Sequence, residues 1–126
     1  MNGQKCKVVK RKHRSLQAWQ LEIQLVEDVY AATRSFPREE AFGLTAQMRR
    51  AAVSVPANIA EGAARGSTRE LRRFIAIAAA SLSELDTHIE IARRLGYLNT
   101  DNLQHQVDTV SAVLMGLGTS LKQKLK

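Results

Sequence analysis

The chain has 126 residues, 44% of them hydrophobic, with seven glycines, two prolines and one cysteine. That is enough chain for one domain with its own core, and a single cysteine excludes an internally disulfide-stapled fold. No apolar run is long enough to span a bilayer, and the basic N-terminus leads into a charged amphipathic segment where a signal peptide needs an apolar core, so a cytoplasmic protein with no membrane contact is expected.

The formal net charge of +7 is a property of the tail. Residues 1–14 contain Lys5, Lys7, Lys10, Arg11, Lys12 and Arg14 and no acid, whereas bases and acids nearly balance over residues 15–126. Such a tail is expected to be disordered, and to serve either as a solvated arm or as a phosphate-seeking one. Cys6 lies within it, without a neighbouring metal ligand.

Ser15 is positioned to cap a first helix running to about Arg34, in which Leu16, Trp19, Ile23, Val26 and Tyr30 recur at helical spacing. Leu21, Leu25 and Val29 widen the apolar surface, so burial on two sides is expected. Phe36-Pro37-Arg38-Glu39-Glu40 stops this helix, because the residue before a proline avoids helical angles. A short turn fits residues 35–43.

A second helix starts around Gly43 and Thr45 and buries Leu44, Met48, Ala52, Val55, Ile59 and Ala63. Gln47, Ser54, Asn58, Glu61 and Arg65 cluster within about 60° on one flank at 100° per residue. This polar stripe serves either hydrogen bonding between helices or a ligand or partner surface. Pro56 costs an interior helix roughly 3 kcal/mol. A new helix starting there would have Val55 as its cap, a poor one, so one helix kinked at Pro56 is expected.

Gly66 ends that helix, and Ser67 with Glu70 has capping-box spacing. The third helix then buries Leu71, Ile75, Ala78, Leu82, Leu85, Ile89 and Ala92, the alternating seam of antiparallel bundle packing. Ala76, Ala80, Ser83 and Thr87 form a separate line of small residues, and Ile77 and Ile91 point away from the seam, which suggests subunit contact. After Gly96, Asn99 or Thr100 is positioned to cap a fourth helix with Leu103, Val107, Val110, Leu114, Leu117 and Leu121 on one face. Gly116 and Gly118 weaken it unless they permit close packing. The pattern predicts an all-α, antiparallel up-down four-helix bundle.

Chemistry is sparse. His13, His88 and His105 are scattered without metal-ligand spacing, and neither a phosphate loop nor a nucleophile elbow is present. A hydrolytic site on Ser54, Asn58 and Glu61 would have no histidine or metal pair to support it. No enzyme activity, cofactor or metal is expected. Arginines are more informative: Arg49, Arg50, Arg65, Arg69, Arg72 and Arg73 crowd residues 49–73. Guanidinium forks match phosphate and carboxylate geometry, and Arg69, Arg72 and Arg73 lie at the start of the third helix, where the helix dipole favours anions. They either pair with acids of the bundle or bind phosphates.

These residues also carry a family pattern. Phe36-Pro37, Gly43-Leu44-Thr45, Gln47-Met48-Arg49-Arg50-Ala51, the run Ser54-Val55-Pro56-Ala57-Asn58-Ile59-Ala60-Glu61-Gly62, Arg65, Ser81-Leu82-Ser83-Glu84-Leu85 and Leu95-Gly96-Tyr97 stand in order. Over about residues 15–121 the chain closely resembles the small four-helix-bundle proteins encoded in intervening sequences of bacterial large-subunit ribosomal RNA genes. The accessory variability determinant of diversity-generating retroelements shares that fold family. The resemblance implies an up-down bundle assembled as a ring, a homopentamer, with a basic surface for RNA or DNA; in the retroelement branch the protein also partners a reverse transcriptase. It also implies a structural role for Gln47, Ser54, Pro56, Asn58, Glu61 and Gly62.

The sequence thus predicts a non-enzymatic, oligomeric bundle that binds RNA through Arg49, Arg50, Arg65, Arg69, Arg72 and Arg73, with Lys10, Arg11, Lys12 and Arg14 in an accessory arm. The competing expectation is a protein-interaction scaffold without nucleic-acid binding.

Overall fold

The structure, a computed structural model, describes residues 11–125. Four helices carry the described chain: α1 (Gln17–Thr33), α2 (Leu44–Ala64), α3 (Thr68–Arg94) and α4 (Asn102–Lys124), with 3-10 turns at Lys12–Ser15 and Arg38–Glu40 and no strand among the described residues. The protein is all-α, as the periodicity requires. Lys5, Cys6, Lys7 and Lys10 lie outside the described residues.

Each helix packs closely on two neighbours, α1 and α3 each lying against α2 and α4, while the diagonal pairs stand further apart. At one end the Tyr97 hydroxyl donates to Glu40 Oε2 at 3.0 Å, joining the α3–α4 connection to the α1–α2 connection. At the other end Leu16, Ala63, Ser67, Leu71 and Leu121 line one depression, where the start of α1, the end of α2, the start of α3 and the end of α4 come together. Successive helices therefore alternate in direction.

The cores of three helices follow their apolar stripes. Met48, Ala52, Val55 and Ile59 of α2, Ile75, Ala78, Leu82, Leu85 and Ile89 of α3, and Val107, Val110 and Leu114 of α4 are buried. α2 continues through Pro56 without restarting. Gly62 is where it meets α3 most tightly: a Cβ there would come within 2.6 Å of Phe74 Cβ.

Helix α1 departs from expectation. Its buried face is Ala18, Glu22, Leu25, Val29 and Thr33, while Ile23 and Tyr30 are 39% and 38% exposed. The apolar pattern alone places the face one position too far round, because it treats Glu22 as a solvent residue. Glu22 is fully buried, and neither carboxylate oxygen has a hydrogen-bond partner among the described residues. Burial pushes its pKa from the ordinary 4.5 up to about 8.

Two expected caps are also corrected. Ser15 does not cap α1: its hydroxyl donates to Lys12 O within the preceding 3-10 turn, and Leu16 occupies the N-cap without a side-chain bond. At α4 the N-cap is Asp101, again without a side-chain bond, in place of Asn99 or Thr100. Ser67 does cap α3, accepting from Glu70 N at 3.1 Å. The Glu70 carboxylate turns to arginines instead of completing the capping box.

Candidate nucleic-acid interface

The polar stripe on α2 resolves into two parts. Ser54 Oγ lies 2.9 Å from Ser81 Oγ on α3, and Asn58 Nδ2 donates to Ser54 Oγ at 3.0 Å and to Ser54 O at 2.8 Å. This small network ties α2 to α3 two residues either side of buried Pro56. Glu61 and Arg65 instead reach solvent, where they form an ion pair at 3.2 Å. Gln47 is exposed and makes no side-chain hydrogen bond among the described residues.

From Arg65 the charges continue across the α2–α3 junction. Arg65 also lies 3.7 Å from Glu70 Oε1, and Arg73 Nε donates to Glu70 Oε2 at 2.9 Å. The hydrogen bond from Arg73, joined by the charge of Arg65, holds the Glu70 carboxyl below its usual range. The guanidinium carbons of Arg65 and Arg73 sit 5.1 and 4.6 Å from the Phe74 ring centre, a cation–π arrangement that fixes both groups at the surface.

The 3-10 turn joins the same region. Arg11, Lys12 and His13 border a surface depression with Ala60, Ala63, Ala64 and Gly66 at the end of α2. Arg14 stacks on Trp19, its guanidinium carbon 5.2 Å from the ring centre. Lys12 and Lys124 flank the depression that contains Ser67 and Thr68 at the start of α3. Arg72 and Lys122 flank a neighbouring one between α3 and α4. Arg69 and Arg72 are exposed and form no ion pair among the described residues. One end of the bundle therefore gathers Arg11, Lys12, Arg14, Arg65, Arg69, Arg72, Arg73, Lys122 and Lys124, against the carboxylates of Glu61 and Glu70. The opposite end is better supplied with acids: Glu39, Glu40, Glu90 and Asp101 accompany its arginines, and Arg93 and Arg94 share the Glu90 carboxylate, each at 2.7 Å.

Of the arginines singled out in the sequence, Arg65, Arg69, Arg72 and Arg73 are thus brought together. Arg49 and Arg50 are not part of that group. Arg49 Nε donates to Thr33 Oγ1 at 2.8 Å, and its guanidinium stacks on Tyr30, 4.5 Å from the ring centre, which binds it to the far end of α1. Arg50 is exposed one residue further along. Lys10 lies outside the described residues. Lys122 and Lys124 were not singled out; the signal was their place in the last turns of a fourth helix, which an up-down bundle returns to the start of the first.

Among the described residues no group of three or more His, Cys, Asp or Glu side chains is placed to hold a metal ion. His88 is buried with Nδ1 unpartnered among the described residues, and burial lowers its pKa against the opposing pull of Glu84, whose Oε2 is 3.7 Å from Nε2. It faces the core, away from the basic end.

The family model described as 23S rRNA-intervening sequence protein matches residues 14–116. The chain belongs to that family. A search of curated proteins finds none that matches. The match to the 23S rRNA-intervening sequence protein family takes in Arg14, all of α1, α2 and α3 and most of α4, while Lys122 and Lys124 lie past its end. No described helix is long and apolar enough to cross a membrane.

Proposed function

We propose that this protein is a non-enzymatic, cytoplasmic RNA-binding bundle that contacts phosphates through the basic end and works as a homo-oligomer, a pentameric ring. The observation that carries the reading is the convergence of basic side chains from four separate stretches on one end of the bundle, where only Glu61 and Glu70 offset them. Membership of a family named for an element of 23S rRNA genes supports RNA as the polyanion. In a ring each subunit contributes one copy of the patch, so individually weak phosphate contacts add through avidity.

Phosphate binding releases condensed counterions, and affinity then falls steeply with salt. Titration of a labelled ribosomal RNA fragment should show binding that weakens by roughly tenfold or more between about 50 and 200 mM salt. Combined Arg69→Glu and Arg72→Glu, both exposed and unpaired among the described residues, should abolish it, whereas Arg50→Glu should leave most of it. Absence of salt-sensitive binding at low salt would sink the proposal.

A second reading, a scaffold for a protein partner, has one specific observation in its favour. Phe42 is 99% exposed in the turn before α2, and large aromatic residues dominate the energetics of protein interfaces. Pull-down partners that persist after nuclease treatment and vanish with Phe42→Ser would support it.

A further inference from the structure

The aromatic side chains bear on which form of nucleic acid the basic end accepts, a question that rests on the RNA-binding reading above. Proteins that hold single strands combine a basic track with aromatic rings on which unpaired bases stack. The chain has one tryptophan, two tyrosines and three phenylalanines, and the structure places every one of them.

Two lie at the basic end, and both are occupied. Phe74 is 6% exposed, with the guanidinium groups of Arg65 and Arg73 over its ring. Trp19 is half-buried, with the His13 ring edge-on at a centroid distance of 5.0 Å and Arg14 stacked on it. The other four belong to the opposite end. Phe36 packs on Tyr97 at 5.3 Å, Tyr97 is hydrogen-bonded to Glu40, Tyr30 is covered by Arg49, and Phe42 projects from the turn before α2. The basic end therefore presents charge without a free stacking platform.

Three of its nine cations are also held in place, while Arg69 and Arg72 are exposed without an ion pair among the described residues. Arg65 and Arg73 are fixed jointly by Glu70 and Phe74, and Arg14 by Trp19. A fixed array of guanidinium groups suits phosphates that are themselves at fixed spacing, as they are on the two strands of a double helix. A flexible single strand would have to be ordered to match it, with no base stacking to offset the entropy lost.

We infer that the basic end binds double-helical RNA through its phosphate backbone, in preference to single strands and without reading base sequence. The test uses the full chain with a fluorescently labelled RNA duplex of about 20 base pairs, long enough to span more than one helical turn, and each of its component strands chosen to be unstructured. Affinities are measured by anisotropy at two salt concentrations. The duplex should bind at least tenfold tighter than either strand, and a second duplex of unrelated sequence should bind within about threefold of the first. Combined Arg69→Glu and Arg72→Glu should lower duplex affinity at least tenfold with the helical circular dichroism unchanged, whereas Phe42→Ser should leave it unchanged. Equal or tighter binding of the single strands overturns the inference while leaving RNA binding intact. Binding of neither form overturns both.

Discussion

Glu22 is the residue least expected from the sequence. It occupies a core position of α1 with both carboxylate oxygens unpartnered among the described residues, and its pKa of about 8 means that the folded state holds a proton the unfolded chain gives up near 4.5. The folded state binds more protons, so stability falls as pH rises. The cost is absent below pH 4.5, grows between 4.5 and 8, and is constant above 8. At pH 7 it amounts to about 3 kcal/mol, taking 1.4 kcal/mol per pKa unit. Glu22→Gln should flatten the pH dependence of chemical denaturation between pH 5 and 9. Glu22→Leu should flatten it and also raise the midpoint throughout, because no polar group is then left unpaired. A variant that loses stability as steeply as the parent above pH 6 would show that another group carries the dependence. Sequence periodicity could not reveal this site, since a glutamate between Leu21 and Ile23 reads as the wet side of a helix, and only the packing of α1 against both α2 and α4 turns it inward.

At the level of the helices, two glycines in helix interiors have opposite meanings. Gly62 sits where α2 crosses α3, and an added methyl would strike Phe74 Cβ and crowd the Leu71 backbone. Gly62→Ala should therefore destabilise by about 1–3 kcal/mol through overpacking. Gly116 in α4 has nothing within 4 Å of an added Cβ. There, Gly116→Ala should stabilise by about 1 kcal/mol, the ordinary difference in helix propensity. Thermal denaturation of the two variants checks both, and the idea fails if their effects share a sign. The helices themselves were largely legible: the 3–4 alternation of α3 and α4 located nearly every buried position, since apolar spacing is a property of a single helix. Caps were less so. Asp101 takes the N-cap of α4 in place of Asn99 and Thr100, and does so without a side-chain bond, so no capping signal in the sequence marks the position. The link from Asn58 through Ser54 to Ser81 required knowing which face of α3 lies opposite, which spacing in α2 alone does not say.

For the whole molecule, the distribution of charge is the property that sequence counting obscured. The basic excess of the chain belongs to its tail by count, and the near balance of the remainder conceals where its acids fall: only Glu61 and Glu70 accompany Arg65, Arg69, Arg72, Arg73, Lys122 and Lys124 at one end, whereas Glu39, Glu40, Glu90 and Asp101 accompany the arginines of the other. Lys12 and Lys124 border the same depression although they come from opposite ends of the chain, and only the alternation of four helices brings them together. The proposed ring adds a measurable expectation at this scale. Light scattering at micromolar concentration should give a mass near five times 14.0 kDa, and a persistent monomer would refute the ring while leaving the bundle unaffected. If the exposed Ile77 and Ile91 lie in that interface, replacing both with Ser should lower the observed mass.

The buried carboxyl of α1 has a thermodynamic signature beyond stability. Because Glu22 is protonated in the folded protein and ionised in the unfolded chain, unfolding near neutral pH discharges close to one proton per molecule into the solvent from this side chain. The heat absorbed on melting then includes the heat of protonating the buffer. Calorimetric enthalpies recorded in phosphate and in Tris at the same pH should differ by nearly the difference between the two buffers' ionisation heats, and that difference should shrink sharply in Glu22→Leu.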